Sequence, residues 1–221
     1  MGVHAVVGIG AGLDPEEVRD VLRLAVLDPV LEAEGLGRHR EPLEPGDAVD
    51  LDLGDEEIIE SLKRVAAHVW LTGLPPLPGG GAEALDRYEA AARVSTGGRA
   101  GSLRLVTPPS RTAAFDHLVH HEETEGLYLP ADFAPVLLLP SEIDPLEHEP
   151  LGSAPRLAEE CRRLAAAMDL PRGVDPDGDE IRAARDEPSR WGGFGAEGFA
   201  LLRLLHAASI ATATGAALIF E

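Results

Sequence analysis

An alternating strand and a repeating helix stand back to back between residues 48 and 71, and that juncture limits the available folds more than any other feature. From Ala48 to Leu53, apolar Val49, Leu51 and Leu53 alternate with Asp50 and Asp52, the period-two pattern of a half-buried strand. From about Asp55 to Leu71, Ile58, Ile59, Leu62, Val65, Ala66, Val69 and Trp70 recur at helical spacing, so one stripe of that helix has to be buried. A strand with one apolar face and a helix with one apolar stripe satisfy each other in a layered fold.

The remaining segments repeat the mixture. VHAVVGIG near the N-terminus reads as a strand, and Asp14-Pro15-Glu16-Glu17 supplies an N-cap, a proline at N1 and an acidic first turn. That start predicts one helix over 15–34. Further helices are expected at about 82–94, 110–122 and 154–168, and strands at 102–106, 127–129 and 136–139. A long last helix from Gly195 to Thr214 is stopped by Gly215 and followed by a short ALIF strand. The expected class is α+β (mixed α/β), a mixed sheet with helices packed on it. LPPLPGGG at 74–81 and STGGRAG at 95–101 are the breaks in this pattern. They leave a single globular domain over 1–221 or two packed lobes, 1–98 and 99–221.

Charge narrows the functions. Nineteen Lys and Arg against 39 Asp and Glu give a formal net charge of −20, which repels phosphate backbones and anionic membranes. The sequence therefore predicts no nucleic acid partner and no membrane partner. Its acidity either serves solubility or steers the chain onto a basic protein. One cysteine, Cys161, excludes an internal disulfide framework, and the N-terminus lacks the pattern of a signal peptide, so the cytoplasm is the expected compartment. Cys161 shares a helical face with Leu157, Leu164 and Met168, which makes it a small buried hydrophobe rather than a nucleophile. Two glycine motifs imitate nucleotide loops. In the first, Leu13 stands where GxGxxG needs glycine; the second, Gly193 to Gly198, follows no strand.

The segment with the most chemistry is Phe115 to Pro140, which gathers three histidines and five carboxylates. Read as a helix, it sets His117, His121 and Glu125 at i, i+4 and i+8, a row of three ligands for a divalent metal ion. Glu122 or Glu123 would then be the general base. The competing reading places both histidines against the following strand, each satisfied by a carbonyl or a carboxylate. Asp132 either turns back toward His121, orienting its ring, or caps its own turn.

The run His121 to Phe133, with His121, Glu125, Gly126, Tyr128, Pro130, Asp132 and Phe133 in an H-x(3)-[DE]-G-x-Y-x-P-x-D-F pattern, resembles a group of uncharacterised bacterial proteins of similar length. There the corresponding run reads like HSDCDGYYVPVDF. Glu122 replaces the expected serine, and the aromatic pair is reduced to Leu127-Tyr128. The resemblance implies a shared fold and a focal segment, with Tyr128 and Asp132 as binding residues, and brings no established activity.

Two function classes remain. One is an acidic protein-binding module of the inhibitor or immunity type that covers a basic surface on another protein. The other is a small metal-dependent hydrolase built on segment 117–132. The spread of acidity over the whole chain favours the first. Neither reading fixes an oligomeric state.

Overall fold

The computed structural model describes residues 2–10, 14–43, 49–98, 101–121, 126–140 and 148–220. Within them lie the strands β1 (Gly2–Val7), β2 (Val49–Asp55), β3 (Arg93–Gly97), β4 (Ser102–Val106), β5 (Leu127–Leu129), β6 (Val136–Pro140), β7 (His148–Ser153) and β8 (Leu218–Phe220). The helices are α1 (Pro15–Val21), α2 (Leu24–Glu34), α3 (Glu56–Thr72), α4 (Ala82–Ala91), α5 (Asp116–Val119), α6 (Ala154–Ala167), α7 (Asp179–Asp186) and α8 (Gly195–Thr214). The described strands join in one sheet of order β2-β1-β8-β5-β7-β6-β4-β3. Only β5 and β7 pair in parallel; every other pairing is antiparallel. The expected mixed sheet under helices, with a long C-terminal helix and a short final strand, is the architecture observed.

Alternation along the strands divides the core into two layers. Val3, Ala5 and Val7 of β1, Leu51 and Leu53 of β2, and Tyr128 and Leu218 face α3, α6 and α8. Leu129, Leu137, Leu139, Leu151 and Ala217 face the opposite way, against Val18 of α1, Leu27 and Leu31 of α2, and Leu22 between the two helices. The strand-helix juncture that opens the sequence argument is realised as β2 running into α3, with Asp55 accepting a hydrogen bond from the Ile58 amide at 3.0 Å as the N-cap. Trp70 is buried in this layer, and its indole nitrogen donates to the Pro108 carbonyl at 2.9 Å.

Three expected elements change. The helix over 15–34 is two helices, because Arg23 sits in the left-handed region at φ 51°. That conformation costs about 1–2 kcal/mol for a side chain with a Cβ. Its guanidinium reaches Glu149 of β7 and the Pro140 carbonyl at 3.4 Å. The helix over 110–122 shrinks to α5, since the amides of Arg111 and Thr112 donate to the Trp70 carbonyl at the end of α3. Tertiary bonds there outcompete the helical ladder. The helix over 82–94 stops at Ala91, and β3 follows. The boundary considered at 98/99 falls between β3 and β4, which pair with each other. Among the described residues no helix is long and apolar enough to cross a membrane.

Candidate functional site

The histidine segment folds inward. His117 is 1% exposed and both of its ring nitrogens are engaged: Nδ1 accepts from the Ser153 amide at 3.1 Å, and Nε2 donates to the Ala134 carbonyl at 3.0 Å. Burial is the largest influence on its pKa, which is pushed down to about 4. The ring is a neutral strut that ties α5 to β7 and to the loop before β6. Ser153 in turn donates to the Ala131 carbonyl at 2.8 Å and caps α6 through the Arg156 amide.

His121 lies beyond the end of α5, so the i, i+4, i+8 row along one helix does not form. Its ring stacks on Tyr128 with centroids 4.2 Å apart, fully buried, and burial holds its pKa well below the usual range. Tyr128 is 0% exposed, wedged between His121 and Phe220 in the core, and so is no surface binding residue. Gly152 on the neighbouring strand makes this stacking possible: a Cβ there would lie 2.2 Å from Tyr128 Cδ1 and 2.8 Å from His121 Nε2. Asp132 is exposed and pairs with Arg156 at 2.6 Å, neither turning toward His121 nor capping its turn through a described bond. Glu122, Glu123 and Glu125 lie outside the described residues. Among the described residues no group of three His, Cys, Asp or Glu side chains is arranged to hold a metal ion.

Two buried carboxylates complete this seam. Asp116 accepts from Tyr88 Oη at 2.8 Å and the Thr107 amide at 3.1 Å, with His120 Nε2 at 3.3 Å. Burial, the largest single influence, would raise its pKa, but these hydrogen bonds together outweigh it and the net shift is downward. Glu160 accepts from the His117 and Leu118 amides at 3.3 and 2.9 Å, and burial pushes its pKa well up. Cys161 beside it is fully buried, and burial likewise pushes its thiol up, away from nucleophilic use. Asp116 and Glu160 are thus held by neighbouring side chains and backbone amides, and they tie elements together.

The acidic side chains tell a different story at the β2 edge. Between Glu41 and Leu62 the sequence carries nine carboxylates and no Lys or Arg. The folded chain turns part of that run into a surface. Asp55, Glu56, Glu57 and Glu60 line a groove of about 820 Å³ with Glu197, which comes from the first turn of α8. Ser61 donates to Glu197 at 2.6 Å and fixes that side chain against α3. One guanidinium, Arg64, shares the groove and bonds Glu60 at 3.2 Å. The positive ends of α3 and α8 thus converge on five carboxylates, which offsets part of their mutual repulsion. Asp50 and Asp52 lie further along β2, Asp50 with its side chain 65% exposed and bonded to His4, Asp52 paired with Arg185.

The spacing is regular. A two-residue step of β2 separates Asp50 from Asp52 by about 7 Å, and one turn of α3 separates Glu56 from Glu60 by about 6 Å. Each strand of duplex DNA carries one charge per about 3.4 Å of axis, and protein surfaces that bind it are matched to such a row. Each acidic line here is about half as dense.

The fold is a layered α/β scaffold whose helix ends and edge strand gather carboxylates. The family model described as "Putative DNA-mimic protein" matches residues 1–220, and the chain belongs to that family. No curated protein and no solved structure matches it. Family membership answers the expectation of a shared family only at that level. It overturns the expected function: the family description points to imitation of DNA and not to a metal-dependent hydrolase, and a protein-binding module is compatible with it only in part. The partner expectation is corrected with it: a basic partner fits, and the family description points to DNA-binding proteins.

Proposed function

We propose that this chain presents its β2–α3 edge as a stand-in for the phosphates of duplex DNA and occupies the DNA-binding surface of another protein. The observation that carries the reading is the family match over residues 1–220; the carboxylate groove between α3 and α8 gives it a place on the molecule. A protein that binds DNA offers Lys and Arg spaced to neutralise successive phosphates. Carboxylates fixed at comparable spacing on helix ends engage the same cations without a base edge to read, so selection among partners falls to shape and charge layout. The compartment that suits such a partner is the one that holds DNA, in keeping with the expected cytoplasmic location.

The test is capture of proteins from a cell extract on the immobilised chain, followed by elution with a short DNA duplex. The reading expects DNA-binding proteins that the duplex displaces, and whose capture fails on a Glu56→Gln, Glu57→Gln, Glu60→Gln, Glu197→Gln variant. Proteins that the duplex leaves in place, or that the variant retains equally well, would overturn it.

A further inference from the structure

The opposite edge of the sheet is built differently. From Arg93 to Thr96 every residue of β3 is exposed, although β3 is paired along its whole length with β4. Its outer edge therefore offers alternate backbone N–H and C=O groups that β4 does not use, and Val94 stands 60% exposed beside them. Several usual guards are absent from β3, which has no proline, no lysine and no shift of register against β4; Arg93 is its one charge. Charge makes the place more unusual. Residues 90–115 hold Arg93, Arg99, Arg104 and Arg111 and no Asp or Glu, in a chain with 39 acids.

We propose that β3 pairs antiparallel with β3 of a second copy, joining two sheets about a twofold axis at Ser95. A second copy is the occupant that charge favours. Two chains of net charge −20 repel wherever unpaired acids meet; β3 itself carries no acid, and Glu34, which reaches β4 from α2, is paired with Arg104. Self-pairing centred on Ser95 sets Val94 opposite Thr96 of the other copy and Arg93 opposite Gly97, beside an Arg104 whose charge Glu34 already offsets. Such a contact is isologous and closes at two copies. It lies seven strand positions from β2, roughly 34 Å along the sheet, and leaves both acidic edges uncovered. The inference stands on β3 alone and does not depend on the proposed binding of a DNA-binding protein.

Sedimentation velocity of the chain alone, from about 1 µM to about 1 mM, reads the association directly. A concentration-dependent dimer is expected, with its dissociation constant raised at least tenfold by Val94→Lys, whose melting temperature is checked to confirm folding. Because Cys161 is buried, Ser95→Cys adds a single accessible thiol at the axis. It is expected to form an intermolecular disulfide far faster than Ala166→Cys, an exposed control on α6. A monomer throughout the concentration range, or a dimer that Val94→Lys leaves intact and Ser95→Cys does not cross-link, would overturn the proposal.

Discussion

The two edges of this sheet face the same hazard and meet it in opposite ways. At β2 the open backbone is covered by side chains: Arg203, from α8, donates to the Asp52 carbonyl at 2.7 Å and to Asp177 at 2.9 Å, while Arg185 of α7 pairs with the Asp52 carboxylate at 2.6 Å. Both guanidiniums lie over the Phe199 ring. Among the described residues β3 has no such cover, and its side chains from Arg93 to Thr96 are exposed. The guarded strand is acidic and the bare strand carries no acid of its own. Closing the backbone of an edge strand removes it from strand pairing and leaves its side chains as the surface a partner meets. An uncovered edge instead offers main chain.

The largest expected effect separates the edges by function. Changing Glu56, Glu57, Glu60 and Glu197 together to Gln should weaken binding to a captured DNA-binding protein by up to roughly 4 kcal/mol, at about 1 kcal/mol per exposed charge contact. That is about a thousand-fold. Titration calorimetry at two salt concentrations would check it, with a shallower salt dependence in the variant. Val94→Lys, measured alongside, should leave affinity per chain unchanged; an equal loss in both would erase the distinction between the edges.

Acid should break both edges at once, because the polar seam lies between them. His117 titrates at about 4 when folded and near 6.5 when free, so below pH 6.5 the unfolded chain binds a proton that the folded chain refuses. Stability therefore falls as pH drops from about 6.5 to about 4, by roughly 3 kcal/mol from this residue. Asp116, with its folded pKa lowered, adds to the loss as pH falls further. Urea unfolding at a series of pH values checks the slope, and a His117→Asn variant should flatten it above pH 4.

Removing the guard is the next test. Arg203→Ala leaves the Asp52 and Pro176 carbonyls and Asp177 without their donor, and should cost about 2 kcal/mol. Denaturant midpoints measure that cost, and light scattering should show new association through β2. If the variant stays dispersed, side-chain cover is not what keeps this edge closed. The smallest expected effect belongs to Val94→Lys, which should change the stability of the single chain by less than about 0.5 kcal/mol while altering its self-association.

What the sequence shows plainly are the elements with one buried side. The stripe from Ile58 to Trp70, the helix from about Ala154 and the glycine stop after Thr214 all appear where the sequence pattern places them. β3 is hidden because RVSTG is exposed on both faces and so has no alternation to read. β7 is hidden because HEPLGS carries Pro150 and Gly152 yet sits between β5 and β6. The site is hidden for a different reason. Histidines attract a catalytic reading, but burial among carbonyls and amides gives His117 a structural task that no spacing reveals. The nine carboxylates from 41 to 62 are visible as a charge run, and a charge run alone reads as a solvated face. Only folding sets Glu197 beside Ser61, 136 positions away in the chain.

The convergence of α3 and α8 on one groove has a thermodynamic consequence. An acidic tail could carry as many charges, but it would lose conformational freedom each time it docked, and that loss would be subtracted from affinity. Carboxylates seated in the first turns of two packed helices have their backbone ordered already, at the expense of folding rather than of binding. Their spacing also cannot relax to suit an arbitrary cationic surface. Rigidity converts a quantity of charge into a shape, and a shape can be refused.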